Sequence, residues 1–349
     1  MEIDDAALAR LQALIGEAQP QSDDVVVTRP QRVAIMGIPR SGSTWLHQTL
    51  SHTAGVSSVR EPDNTDHFPA ALRALRGIGI HPFVASDDEC QQLRRCFDAA
   101  FGSPVRWSKS RASIGKRLMR PYGGSLRRVM VDTAPVKIPL RLRTAALISP
   151  PGSSPKQTPT RLVKTVHMAL SMDWMIANYA PTIVVTRRNP LDVLASWISL
   201  DINPVGISWS RLCGPQISDW LDQRGLPQQP RVEGQSVTAL AWVIGVLMSG
   251  IAEAIVEHPE IVIADHEILC RDPVGEMRHV ARQLGLVWTP EAEEFLHKRN
   301  RPGEGYAVQR VAAKVPGSWR EKLDPEAVAT ARAMFVQFPW TARYADIVG

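Results

Sequence analysis

Short continuous apolar runs alternate with longer segments of helical spacing along this chain. The stretches Arg32-Val33-Ala34-Ile35-Met36-Gly37 and Thr182-Ile183-Val184-Val185-Thr186 have strand length and a β-branched content with little polar interruption. Such runs predict strands buried on both faces. Three weaker runs read the same way: 55–61 ending at Glu61, 161–167 ending at His167, and 261–265. Helical spacing follows at 44–50, 87–101, from His167 through Tyr179, 190–200, 237–256 and from Asp272-Pro273 to about Gly285, with a further segment near 66–77. Strands separated by helices predict an α/β fold with a parallel central sheet flanked by helices. Ahead of it, residues 1–28 carry a short amphipathic pattern over 5–16 (Ala6, Leu8, Leu11, Leu14, Ile15) and a polar linker, so 29–349 is expected to form one domain. Loops rich in Pro are expected at 149–159 and 225–234.

One segment has the length of a membrane span. From Val237 to Val256 Glu253 is the only charge, but Thr238, Gly245, Ser249 and Gly250 interrupt the run. It predicts a helix buried against the sheet. The composition agrees: among 349 residues 44% are hydrophobic and 21% charged, which excludes wholesale disorder. The acidic start Met1-Glu2-Ile3-Asp4-Asp5 lacks the basic, apolar pattern of a signal peptide, and Cys90, Cys96, Cys213 and Cys270 have neither CxxC spacing nor paired His. A cytoplasmic protein is expected, without a zinc site or a disulfide framework.

Charge adds a further feature. Between Val105 and Arg143 stand eleven Lys or Arg residues against the single acid Asp132, so this segment carries +10 of a chain whose net charge is +5. It lacks the interleaved aromatics of a nucleic-acid stacking platform, and no nucleic-acid partner is expected.

In parallel sheets, ligands sit beyond the C-terminal strand ends. Arg40, Glu61, Lys164, His167, Arg188 and Glu267 all fall at or just after those ends. The loop Pro39-Arg40-Ser41-Gly42-Ser43-Thr44 joins a strand to a helix, which aims backbone N–H groups and a positive helix end at one point, a seat for phosphate or sulfate. Arg40 adds a cationic fork, and Ser41, Ser43 and Thr44 add hydroxyls. The loop is not G-x-x-x-x-G-K-[ST], which disfavours a standard ATP site. The strand 182–186 ends in Arg187-Arg188, where a magnesium-dependent P-loop enzyme wants a carboxylate. Two anion seats, at 39–44 and at Arg188 with Ser196, point to a nucleotide with phosphates at two ends.

These residues carry a resemblance. Pro39-Arg40-Ser41-Gly42-Ser43-Thr44-Trp45 and Arg188-Asn189-Pro190-Leu191-Asp192-Val193-Leu194-Ala195-Ser196 resemble the paired signature of sulfotransferases that use 3′-phosphoadenosine 5′-phosphosulfate (PAPS). Arg161-Leu162-Val163-Lys164-Thr165-Val166-His167 is similar to the Lys-Thr strand of that family, His266-Glu267-Ile268-Leu269 to its Tyr-Glu-Asp-Leu stretch, and Gly317-Ser318-Trp319-Arg320 to its late Gly-Asp-Trp-Lys. Arg40 in place of Lys is closer to the bacterial and carbohydrate branches. The resemblance implies a P-loop-like sulfotransferase fold with an acceptor-side insert over 105–160. It also implies that Arg40, Ser41, Gly42, Ser43 and Thr44 hold the 5′-phosphosulfate, that Trp45 packs on adenine, and that Arg188 and Ser196 bind the 3′-phosphate. Trp319 belongs to the late nucleotide-side motif. The family's late Arg-Lys-Gly triplet is replaced by Ala312-Ala313-Lys314, with Lys314 or Arg310 as a substitute.

The reaction so implied is in-line transfer of a sulfuryl group to a hydroxyl or amine of a small acceptor, without metal, leaving adenosine 3′,5′-bisphosphate (PAP). Arg40 and the loop N–H groups sit where charge grows on the leaving oxygen, and Lys164 joins them as a candidate catalytic residue. A base must take the acceptor proton. Histidine is the side chain suited to this near neutral pH, so His167 is the first candidate, with Glu61 the second. The basic segment suggests an acceptor that is anionic or carrier-bound. A small-molecule kinase and a non-catalytic nucleotide- or nucleic-acid-binding protein are the alternatives.

Overall fold

The computed structural model describes residues 32–64, 71, 75, 78–102, 159–200, 202, 213, 216–231, 236–301, 311–344 and 347. The expected helices over 5–16 and near 66–77, the basic segment and Arg310 fall outside these residues wholly or for the most part.

Five parallel strands make one sheet: β1 (Arg32–Gly37), β2 (Val56–Arg60), β3 (Thr160–Lys164), β4 (Thr182–Arg187) and β5 (Val262–Asp265), in the spatial order β2-β3-β1-β4-β5. β1 lies at the centre, with Ile35 opposite Lys164 on one side and Gly37 opposite Thr186 on the other. Alternation along β1 divides the interior into two layers. Val33 and Ile35 face a cluster with Leu46 and Leu50 of α1 (Ser43–Leu50), while Ala34 and Met36 belong to the larger core on the opposite face.

That larger core is built from α2 (Gln91–Phe101), α3 (Met172–Tyr179), α4 (Pro190–Ser199), α5 (Ile217–Gln223) and α6 (Val237–Glu257). The helix α6 is long and apolar enough to cross a membrane, yet 83% of its most apolar 18-residue window is buried in the fold, as its interrupted pattern predicts. After β5 come α7 (His266–Arg271), α8 (Pro273–Gln283) and α9 (Pro290–Arg299), the last two capped by Asp272 and Thr289 with Pro in the first turn. The layer of α1 receives Leu269, Met277, Val280 and Leu296 from these helices. The chain closes with α10 (Trp319–Lys322) and α11 (Pro325–Phe335), whose Ala331 and Phe335 join the larger core.

The strand order has a functional consequence. The helix leaving β1 lies on one face of the sheet, and the helices leaving β3 and β4 lie on the other. A crevice therefore opens at the C-terminal ends of β1 and β4, the switch point at which such sheets receive ligands.

Candidate active site

On the β4 side of this crevice stands the loop that follows Gly37. A side chain at position 37 would run into Thr186 Oγ1 at 2.4 Å, so glycine is what lets β1 and β4 close together here. Ser41, fully buried, bonds that same threonine hydroxyl at 2.7 Å and anchors the loop to β4. Arg40 and Gly42 both have left-handed backbone, with φ of 73° and 95°. The conformation costs a non-glycine residue about 1 kcal/mol, and it turns the chain sharply into the N-terminus of α1. Gly42 has no room for a side chain either, since the His266 ring lies 2.5 Å from the place a Cβ would take. The loop thus rests on an imidazole that burial and the neighbouring Arg188 hold well below its usual pKa, hence neutral. Trp45 meets the same ring edge-on at 6.3 Å between centroids.

Arg188, just past β4, is buried and donates through Nη1 to the Arg40 carbonyl at 3.0 Å. Arg40 Nε donates to Ser196 Oγ on α4 at 2.9 Å. The two anion seats expected from the sequence are therefore one contiguous surface. Asn189 starts α4 by accepting from Leu191 N–H with its side chain, and its own N–H donates to Glu267, which links the start of α4 to α7. Arg187, next in sequence to Arg188, points elsewhere: it forms a two-pronged pair with Asp265 at 2.7 and 2.9 Å.

Asp192 is the organising carboxylate that sequence reading missed. Fully buried one turn into α4, it lies 4.0 Å from Arg188 and accepts from Gly317 N–H, Ser318 Oγ and Trp319 N–H at 2.8–3.1 Å. It staples the late segment to the crevice. Trp319 is buried in the larger core with Arg320 over its ring, and Lys314 is exposed in a short 3-10 turn.

The other side of the crevice lies at the ends of β2 and β3. β3 stops at Lys164 rather than running to residue 167, and His167 sits in an irregular stretch before α3 because Thr165 turns its hydroxyl back on the chain. Glu61, also left-handed with φ 52°, follows β2 directly. Its carboxylate pairs with Lys164 and accepts from Asn64 Nδ2. Burial lowers the Lys164 pKa, and the charge of Glu61 opposes that. Asp63, with no exposed surface, accepts from Thr165 Oγ1 at 2.5 Å and lies 3.6 Å from His167 Nδ1. Among the described residues neither ring nitrogen of His167 has a hydrogen-bond partner, although the ring is only 2% exposed. His81 meets it edge-on at 5.2 Å. His47 of α1 is buried behind this group, its pKa lowered to about 3 by burial and by the charges of Lys164 and Arg60.

An arginine-bearing loop at a helix start, a buried arginine and a set of buried titratable groups stand together at one switch point. Residues 30–290 match the model of the sulfotransferase family, and the chain belongs to that family. Among solved structures, it is similar to a sulfotransferase domain from the curacin biosynthetic pathway, with 13% identity over 88% of this chain and 98% of that one and a TM-score of 0.44. It is also similar to a mouse sulfotransferase complexed with PAP (11% identity, 92% and 87% of the two chains, TM-score 0.37). A third is retinol dehydratase in complex with retinol and PAP (19%, 89% and 81%, TM-score 0.38). No curated protein matches the sequence.

Proposed function

We propose that this protein transfers the sulfuryl group of PAPS to a hydroxyl or amine of a small-molecule acceptor. The observation that carries the reading is the continuity of Arg40, Arg188 and Ser196 along the β1–β4 crevice, at the mouth of a loop that starts a helix. A nucleotide with phosphates at both its 3′ and 5′ positions matches such a surface. Arg188 and Ser196 take the 3′-phosphate. Arg40 and the N-terminus of α1 take the 5′ end, and Trp45, edge-on to neutral His266, flanks the base.

In the transfer, the acceptor oxygen or nitrogen bonds to sulfur while the bond from sulfur to the phosphate oxygen breaks and its electron pair stays on that oxygen. Arg40 stabilises this charge as it develops. The acceptor proton goes to His167. Glu61 is less suited to receive it, because Lys164 and Asn64 already occupy its two oxygens, whereas both His167 nitrogens are buried without partners among the described residues.

Titration calorimetry with PAP tests the donor seat. Saturable binding of PAP is expected, and no binding at millimolar PAP beside clear binding of ATP–magnesium or DNA would overturn the reading. Offering labelled PAPS with anionic, carrier-bound and neutral acceptors then ranks the acceptor class, for which the basic segment 105–143 favours the anionic ones.

A further inference from the structure

We infer that Asp63 is a positioning residue for proton transfer, acting through His167. It holds the ring with Nδ1 protonated, leaves Nε2 as the base, and stabilises the imidazolium that forms when Nε2 takes the acceptor proton. The inference rests on His167 being the base.

Three observations support it. The first is the burial of both groups, with Asp63 at 0% and His167 at 2% exposure and Asp63 Oδ2 3.6 Å from His167 Nδ1. The second is the way they are tied. The Thr165 hydroxyl donates to Asp63 Oδ2 and accepts the His167 backbone N–H at 3.1 Å, so one short side chain fixes the carboxylate and the histidine backbone to each other. The third is what is left over. Asp63 Oδ1, His167 Nδ1 and His167 Nε2 are buried without hydrogen-bond partners among the described residues. Buried polar atoms are nearly always paired, and a slight closure from 3.6 Å pairs carboxylate and imidazole. The acceptor's own O–H or N–H then supplies the missing partner of Nε2.

The surroundings give Asp63 little else to do. The Lys164 ammonium is paired with Glu61. Cys96 of α2 is a thiol that burial and Asp63 itself keep protonated. The His81 ring meets His167 edge-on. A buried carboxylate is costly unless a cation faces it, and a cation forming on His167 during turnover matches Asp63. Through the step the proton moves from the acceptor to Nε2, Nδ1–H stays with Asp63, and Asp63 remains ionised. This is the geometry by which a buried acid orients and supports a histidine base.

Asp63→Asn provides the test. Turnover should fall about 100-fold with PAP affinity unchanged. An imidazolium without its carboxylate is less stable, so the acid limb of the kcat profile should move to lower pH, by about one pH unit. An unchanged profile and turnover would overturn the inference. His167→Ala separates it from the reading beneath: full activity in that variant removes His167 as the base, whereas an inactive His167→Ala beside a normal Asp63→Asn removes only the role of Asp63. If Asp63→Asn does not fold, 15N NMR of the natural protein with PAP decides. With the His167 signals assigned from a His167→Gln spectrum, a neutral ring protonated on Nδ1 is expected, and one protonated on Nε2 would refute the assignment.

Discussion

The two sides of the crevice handle charge in opposite ways. On the β4 side, Arg188 donates to a backbone carbonyl and Arg40 to a serine hydroxyl, while Asp192, 4.0 Å from Arg188, accepts from N–H and hydroxyl donors of the late segment. On the β2–β3 side the protein supplies its own match: Lys164 has Glu61, and Asp63 faces His167. In the reaction we propose, the first side binds the nucleotide, and the second lets one proton move without leaving an unmatched charge. Backbone strain marks both, at Arg40 and at Glu61, as is common where side chains must be aimed at a shared point.

The comparison breaks most sharply at the base. His167→Ala should lower turnover by about 10²–10⁴ with PAP affinity intact. Glu61→Gln should act differently, leaving Lys164 buried without its counter-charge and lowering stability by about 3–5 kcal/mol. A stable Glu61→Gln without turnover, beside an active His167→Ala, would exchange the two roles. On the binding side, Arg188→Ala should weaken PAP by about 2–3 kcal/mol, as loss of charge-assisted bonds does, with Asp192→Asn producing a smaller loss through the late segment. Calorimetry on both variants checks this, and unchanged affinity in Arg188→Ala would place the 3′-phosphate elsewhere.

The mildest probe is pH. Folded His47 titrates near 3 against about 6.5 when unfolded. Between these values the unfolded chain binds the extra proton, so stability rises with pH across that window and is lost as pH falls from 6.5 toward 3. At pH 5 the loss from this group is about 2 kcal/mol. Denaturant unfolding of His47→Gln should show a shallower acid slope. Part of the slope should remain, because His266 is shifted in the same direction.

Much of this frame is legible in the sequence because its signals are local. Val33 to Met36 and Ile183 to Val185 are pure apolar runs, and Gly42 and Pro190 punctuate the helix starts that follow. Lys164, His167 and Arg188 could be placed near the crevice from strand ends alone. Asp63, Asp192 and His47 could not, since what matters in each is a partner about a hundred residues away: Thr165 and His167 for Asp63, the 317–319 turn for Asp192, and the charge of Lys164 for His47. Asp192 in particular reads in the sequence as an ordinary acid in the first turn of a helix. Only the fold shows it accepting from residues 317–319. The end of β3 departs from the sequence expectation for a related reason. Val166 continues the apolar run, but the Thr165 hydroxyl takes the His167 N–H and the strand stops at Lys164.

The Asp192 staple also bears on how the protein is made. A ribosome delivers the loop at residue 40 and all five strands before it delivers Gly317 and Trp319. At about 5–20 residues per second the loop waits roughly 15 s to a minute for the segment that Asp192 captures. The sheet can assemble during synthesis, but the proposed donor seat is completed only once residues 317–319 have emerged. Nascent chains halted after β5 should therefore be folded at the sheet and still deficient in nucleotide binding.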